Sequence, residues 1–186
     1  MKIAILGASC FAINLSRHLV DRDDEVLLIS RSPLRGPAFT LGLESEQLFH
    51  YQRGHLVTGL PWIMLHLDDF RPALIVNFAA LCEVGQSWNH ALDYYRTNVL
   101  SLVELCDELA KRSWFKRFVQ MGSSEVYGSV REPVDETYGY SPSSPYAASK
   151  AAFDYHLKAG ARYAAFSGVI CMPSNGYCEG QTLNRI

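Results

Sequence analysis

The sequence predicts a doubly wound α/β fold, a parallel sheet covered by helices on both faces. Three observations carry this expectation. Short apolar runs alternate with segments of helical periodicity along the whole chain, a glycine closes the first run, and 186 residues at 48% hydrophobic and 19% charged have the length and composition of one globular domain.

Lys2 to Leu6 is an apolar run that stops at Gly7, and Phe11, Leu15 and Leu19 then recur at helical spacing up to Val20, giving strand, turn and helix. Glu25 to Ile29 is a second strand, Leu48 to Tyr51 a weaker third, and Ala73 to Phe78, introduced by Pro72, a strong fourth; Trp62 to Leu67 fits the helix before it. From Ala91 to Leu109, the residues Leu92, Tyr95, Val99, Leu102, Val103, Leu105 and Cys106 mark the apolar face of a long amphipathic helix. Phe118 to Met121 reads as a buried strand. Ser144 followed by Pro145 is a helix start, since the hydroxyl can cap and proline is tolerated at the first helical position, and it leads into a helix over Tyr146 to Tyr163. Ala165 to Cys171 supplies a sixth strand. Right-handed crossovers gather the carboxyl ends of the strands on one side. Gly7, Arg31, Asn77 to Ala80, Gly122 to Glu125 and Pro173 to Tyr177 are therefore expected to converge on one crevice, where such sheets bind ligands.

Seventeen Lys plus Arg against nineteen Asp plus Glu leave a formal charge of -2, so nothing points to nucleic acid or an anionic membrane, and any phosphate site must be local. The five cysteines, Cys10, Cys82, Cys106, Cys171 and Cys178, lack the paired spacing of a zinc site or a disulfide framework, which fits a reducing cytoplasm. The first apolar run is too short for a signal peptide, and no later stretch reaches the roughly 18 to 20 apolar residues that span a bilayer. The histidines His18, His50, His55, His66, His90 and His156 show no metal-ligand spacing, and no metal is expected.

Three patterns bear on chemistry. Gly7-Ala8-Ser9-Cys10-Phe11-Ala12-Ile13 lies where a dinucleotide loop belongs, but Cys10 and Ile13 stand where GxxGxxG has its second and third glycines, so the segment reads either as a nucleotide loop or as a structural turn. Arg31, after the second strand, is the residue type that accepts a ribose 2′-phosphate, favouring NADP over NAD; the alternative is an ordinary solvated arginine. Tyr146 and Lys150 are four apart and share a helix face, so the ammonium can sit beside the phenol and lower its pKa, making Tyr146 a general base for an alcohol being oxidised; on spacing alone an ordinary surface pair is an equal alternative, and the location after the strand ending in Met121 to Glu125 decides for the base. Ser123 can hydrogen-bond the same hydroxyl, and Glu125 offers a carboxylate.

These pieces, with Asn77-Phe78-Ala79-Ala80, Ser87, Thr97-Asn98-Val99, Gly122-Ser123-Ser124-Glu125-Val126-Tyr127-Gly128, Ser143 to Lys150 and Pro173-Ser174-Asn175-Gly176-Tyr177, make nearly the whole chain resemble the extended short-chain dehydrogenase/reductases of the NAD-dependent epimerase/dehydratase family. The resemblance implies a Rossmann-type domain over residues 1–172, and the start of a substrate-binding region, otherwise largely missing, over 173–186. It implies a bound NADP or NAD held by Gly7, Ser9, Cys10, Phe11, Arg31, Ala79, Tyr146 and Lys150, and a sugar attached to a nucleoside diphosphate, met by Ser87, Ser124 and Asn175. The catalytic residues it implies are Ser123, Glu125, Tyr146 and Lys150. It also implies a homodimer joined by two helices per subunit, Ala91 to Leu109 and Tyr146 to Tyr163.

Within the family, Ser123-Ser124-Glu125-Val126-Tyr127-Gly128 resembles the 4,6-dehydratases, those acting on GDP-mannose in particular, which yield a 4-keto-6-deoxy sugar. The string also occurs in 4-epimerases and decarboxylases, and a non-catalytic dinucleotide-binding or interaction domain is a further alternative. Several positions depart from the pattern. His55 stands where an aspartate usually meets adenine, Met172 where an arginine commonly precedes Pro-Ser-Asn, and Cys178-Glu179 where Gly-Pro is usual after Tyr177. Ile13 is expected to overpack the helix against the strand by about 1 to 3 kcal/mol unless its neighbours shrink.

Overall fold

A computed structural model describes residues 1–181. Six parallel strands, β1 (Lys2–Leu6), β2 (Glu25–Ser30), β3 (Phe49–Arg53), β4 (Leu74–Asn77), β5 (Arg117–Met121) and β6 (Gly168–Cys171), form one sheet in the order β3-β2-β1-β4-β5-β6. The order reverses direction between β1 and β4, the switch point of a Rossmann-type sheet. Helices α1 (Cys10–Val20), α2 (Pro37–Thr40), α3 (Leu60–Phe70), α4 (Val84–Ser87), α5 (Ala91–Tyr95), α6 (Ser101–Leu109) and α7 (Pro145–Tyr163) complete the layers. The expected 173–186 segment is described only to Gln181; residues 182–186 lie outside the described residues.

Burial explains why the central runs read as continuously apolar and the outer ones less so. Ile3, Ala4, Ile5 and Leu6 of β1 are all buried, whereas at the edges β3 buries only Phe49 and β6 leaves every residue half-buried or exposed. Alternate side chains feed opposite cores. Ile3 and Ile5 pack with Ala12, Ile13, Val26 and Leu28 on the α1 face; Ala4 and Leu6 pack with Ile63, Leu102, Leu105, Phe118 and Phe153 beneath α3, α6 and α7. Ile13, expected to overpack, is a fully buried member of the first core.

Local chemistry sets the helix starts. Ser9 Oγ accepts from the Ala12 amide at 3.2 Å, and Ser144 Oγ from the Ala147 amide at 3.1 Å ahead of Pro145, capping α1 and α7. The helix predicted over Ala91 to Leu109 is instead interrupted by a π-helical turn at Arg96–Leu100. That turn carries the buried Asn98, whose amide accepts from Leu81 N at 2.8 Å and donates to Leu81 O at 2.9 Å and Ser149 Oγ at 3.0 Å. The last strand begins at Gly168 rather than Ala165. Ala165 is left-handed at φ 54°, and the Phe166 amide turns back to the Gly160 carbonyl, so the chain is still closing α7 there.

Candidate active site

The switch point opens a cleft of about 270 Å³ whose walls include Gly7, Ala8, Ser9, Arg31, His55 and Ala79. Gly7 is required by close approach: its φ is 90°, and a Cβ there would stand 2.7 Å from the Ala79 amide nitrogen. The loop after β4 thus rests on the loop after β1, and the cleft floor is backbone. Four of the sequence-predicted cofactor residues, Gly7, Ser9, Arg31 and Ala79, meet here, with Arg31 exposed on the rim.

Cys10 and Phe11 begin α1, and their side chains meet the chain after β6 rather than the cleft. The Cys178 thiol lies beside Cys10; its pKa is pushed up to about 12, first by burial and then by the Cys10 thiol. A Cβ on Gly176 would lie 3.3 Å from the Phe11 ring, and Asn14 Nδ2 donates to the Glu179 carbonyl at 3.0 Å. The unusual Cys178-Glu179 pair therefore helps fasten the segment over α1.

A nicotinamide dinucleotide fits what the cleft offers. The cleft lies beyond the strand ends at the switch point, begins at the N-terminus of α1, and approaches its glycine floor without a side chain in the way. Gly7 to Ser9 would receive the pyrophosphate, and Arg31 and His55 would lie beside the adenosine end. A more open hollow of about 400 Å³ shares Arg31, His55, Val57, Leu81 and Thr97 with the cleft and extends to Asp93, Tyr94 and Arg96.

The predicted catalytic group forms beyond Cys82. Ser123 is buried at the end of β5 and its Oγ accepts from the Glu125 amide at 3.3 Å, which starts a 3-10 turn at Ser124–Tyr127 and leaves Ser124 and Glu125 exposed. Tyr146, buried one residue into α7, packs edge-on against Tyr94 at 6.3 Å between ring centroids. Burial raises the phenol's pKa, and the nearby Ser123 hydroxyl opposes the rise. This corrects the expected lowering by Lys150: the ammonium donates to the Met121 carbonyl at 2.5 Å, and burial dominates at the phenol. Lys150 itself is lowered to about 8 by burial, opposed by the charge of Asp154.

The three substrate positions differ in their surroundings. Ser87 is fully buried and donates to the Val84 carbonyl at 2.6 Å, while Ser124 and Asn175 are exposed. The Ser124 amide donates to the Pro173 carbonyl at 3.3 Å, tying the β5 and β6 ends together. Met172 packs with Val126, Tyr127 and Ala151, so a core contact occupies the position where the family commonly has arginine. Sequence reading missed two members of the site. Cys82, taken only as one scattered cysteine, lines the cleft near Tyr146 and Lys150. Asp154 was signalled only by its spacing, four residues after Lys150.

Fold and site together define a dinucleotide-binding α/β domain carrying a Ser, Tyr, Lys group at the carboxyl edge of its sheet. The model of the NAD dependent epimerase/dehydratase family matches residues 3–186, and the chain belongs to that family. It is 30% identical over 190 residues to the probable dTDP-glucose 4,6-dehydratase of Sinorhizobium fredii, covering 95% of this chain and 54% of that protein. It is 35% identical over 166 residues to the dTDP-glucose 4,6-dehydratase of Xanthomonas campestris pv. campestris, covering 82% and 46%. Among solved structures, the dTDP-glucose 4,6-dehydratase DesIV of Streptomyces venezuelae with NAD bound superposes with a TM-score of 0.86 at 25% identity, over 97% of this chain and 58% of that one. The UDP-glucose 4-epimerase of Brucella ovis in complex with NAD shares the fold with a TM-score of 0.81 at 18% identity, over 94% and 52%. The chain spans about half the length of the curated relatives it matches. Among the described residues, no helix is long and apolar enough to cross a membrane, and no cluster of three or more His, Cys, Asp or Glu is arranged to hold a metal.

Proposed function

We propose that residues 1–172 form the dinucleotide-binding and hydride-transfer domain of a nucleotide-sugar 4,6-dehydratase, with 173–186 leading toward the sugar. The observation that carries the reading is the burial of Ser123, Tyr146 and Lys150 at one place, with the Ser123 hydroxyl acting on the Tyr146 phenol and Glu125 two residues from Ser123. A nicotinamide dinucleotide held at Gly7 to Ser9 would supply a reversible hydride acceptor for the sugar C4 and donor for C6. Tyr146 takes the C4 hydroxyl proton, Ser123 orients that hydroxyl, and Lys150 supplies positive charge one helical turn away. The resulting 4-keto group acidifies the C5 proton, which Glu125 removes and gives to the C6 hydroxyl leaving as water; C5 takes a proton back from solvent as C6 is reduced, and Tyr146 returns its own to solvent. Its exposed position on the 3-10 turn suits a group that must reach a substrate.

Relatives of known structure bound NAD, which makes NAD the first dinucleotide to test; Arg31 on the cleft rim supports NADP as the second. A homodimer through α5, α6 and α7 is supported by Leu92, Leu100 and Tyr155, each more than half exposed on those helices or the turn joining them. The test is incubation of the protein with NAD or NADP and, in turn, dTDP-, GDP- and UDP-sugars, following thermal unfolding and formation of a 4-keto-6-deoxy product. Dinucleotide-dependent stabilisation with a 4-keto-6-deoxy product is expected. A 4-epimerised sugar instead would assign the epimerase reaction, and neither stabilisation nor product would overturn the proposal.

A further inference from the structure

Among the described residues, the buried side-chain atom left without a hydrogen-bond partner is Oδ1 of Asp154. Asp154 is fully buried on α7, one turn beyond Lys150 and two beyond Tyr146, so the three lie along one helix face. Its Oδ2 accepts from the Tyr140 hydroxyl at 3.5 Å, and that hydroxyl also accepts from the exposed Lys158 Nζ at 3.0 Å. Lys150 is likewise buried, with its ammonium on the Met121 carbonyl. A carbonyl carries no net charge, and a buried ammonium persists only where an opposite charge offsets its lost hydration. A packing role for Asp154 would be better filled by an apolar side chain, which strands no oxygen.

The geometry points to Asp154 as a positioning residue for Lys150: two buried, oppositely charged side chains stand one turn apart on one face of α7, so the carboxylate acts on the ammonium through the protein interior and sustains the cation of the Tyr146 site. The groups facing this carboxylate are Lys150, Lys158 and Tyr146 on its own helix, Tyr140 from the preceding loop and Tyr127 from the 3-10 turn, while Cys82 lies near Lys150 from the loop after β4. Burial raises Asp154 to about 6, against the pull of both lysines, and lowers Lys150 to about 8, against the pull of Asp154. Between those values most of the carboxylate and most of the ammonium are charged together. The pair loses its negative member as pH falls through the lower one and its positive member as pH rises through the upper.

The significance for catalysis rests on the function proposed above, but the coupling is measurable without turnover. Nuclear magnetic resonance of labelled lysine, with the Lys150 signal assigned by Lys150→Met, reads the Lys150 titration directly. Asp154→Asn should lower the Lys150 pKa by about one unit, a tenfold loss of the charged form above it, and Asp154→Glu should restore it. Lys158→Met should leave it near its original value. In the unaltered protein, the Lys150 signal should also show a smaller inflection where Asp154 titrates, so the test survives even if Asp154→Asn does not fold. An unchanged Lys150 pKa in folded Asp154→Asn, or no second inflection in the unaltered protein, would overturn the assignment. If the protein turns over nucleotide sugar, the alkaline limb of its kcat/KM profile should move to lower pH in Asp154→Asn. Absence of turnover in the unaltered protein would count against the proposed function alone.

Discussion

The dinucleotide end of the cleft and the Tyr146 helix meet at one crevice but are made of different material. At the first, the working parts are backbone: Gly7 under the Ala79 amide, and the opening turn of α1 capped by Ser9. At the second, they are side chains with buried charge, Lys150 and Asp154 along α7. Backbone geometry tolerates changes of side chain so long as the approach is open, and Cys10 and Ile13 replace glycines with their side chains sent elsewhere, to Cys178 and to the α1 core. A buried proton-transfer group has no such freedom, because its effect is the group itself.

The sharpest way to break this comparison is at Tyr146. With the proposed activity established, Tyr146→Phe should lower kcat by about 10²- to 10⁴-fold while thermal unfolding and dinucleotide binding stay near normal. A comparable loss from Cys10→Ala would show that side chains matter equally at both ends. Restoring the glycine pattern at the other end should harm the protein. Ile13→Gly removes a fully buried side chain and adds helix-interior glycine, for a loss of at least about 3 kcal/mol in denaturant unfolding. A stabilised Ile13→Gly would mean that the branched side chain is strained after all.

Gly7→Ala addresses the backbone directly. The added Cβ faces Ala79 backbone at a positive φ, and a cost of about 1–3 kcal/mol is expected together with loss of dinucleotide-dependent stabilisation. At the charged end the expected sign is reversed. Replacing Lys150 and Asp154 together by Met and Leu should leave stability unchanged or raise it by about 1–4 kcal/mol, whereas Lys150→Met alone strands the carboxylate and destabilises. The smallest effect is one of slope. Asp154 binds its proton more tightly folded than unfolded, so its contribution makes stability fall as pH rises from its ordinary value of 3.8 to about 6. Lys150 releases its proton more easily when folded, so its contribution makes stability rise from about pH 8 towards 10.5. Comparing unfolding curves of the unaltered and doubly substituted proteins across pH should show both slopes vanish.

The alternation of apolar strands and helical spacing determined the six strands, their parallel crossovers and the end of the sheet where a site must lie, because periodicity and turn chemistry act locally. Ser9 and Ser144 as helix caps were legible for the same reason. The matching strings also placed Ser123, Glu125, Tyr146 and Lys150 in one neighbourhood. The sequence could not say that the Lys150 ammonium turns to the Met121 carbonyl, that Ser87 faces inward, or that Asn98 stitches a π-helical turn to Leu81 and Ser149. Nor could it foresee that burial outweighs charge at Tyr146. Each of these depends on which groups distant segments bring together and how much water they exclude. Spacing along the chain specifies neighbours on a helix face; only the packed tertiary structure decides the dielectric around them, and with it their protonation.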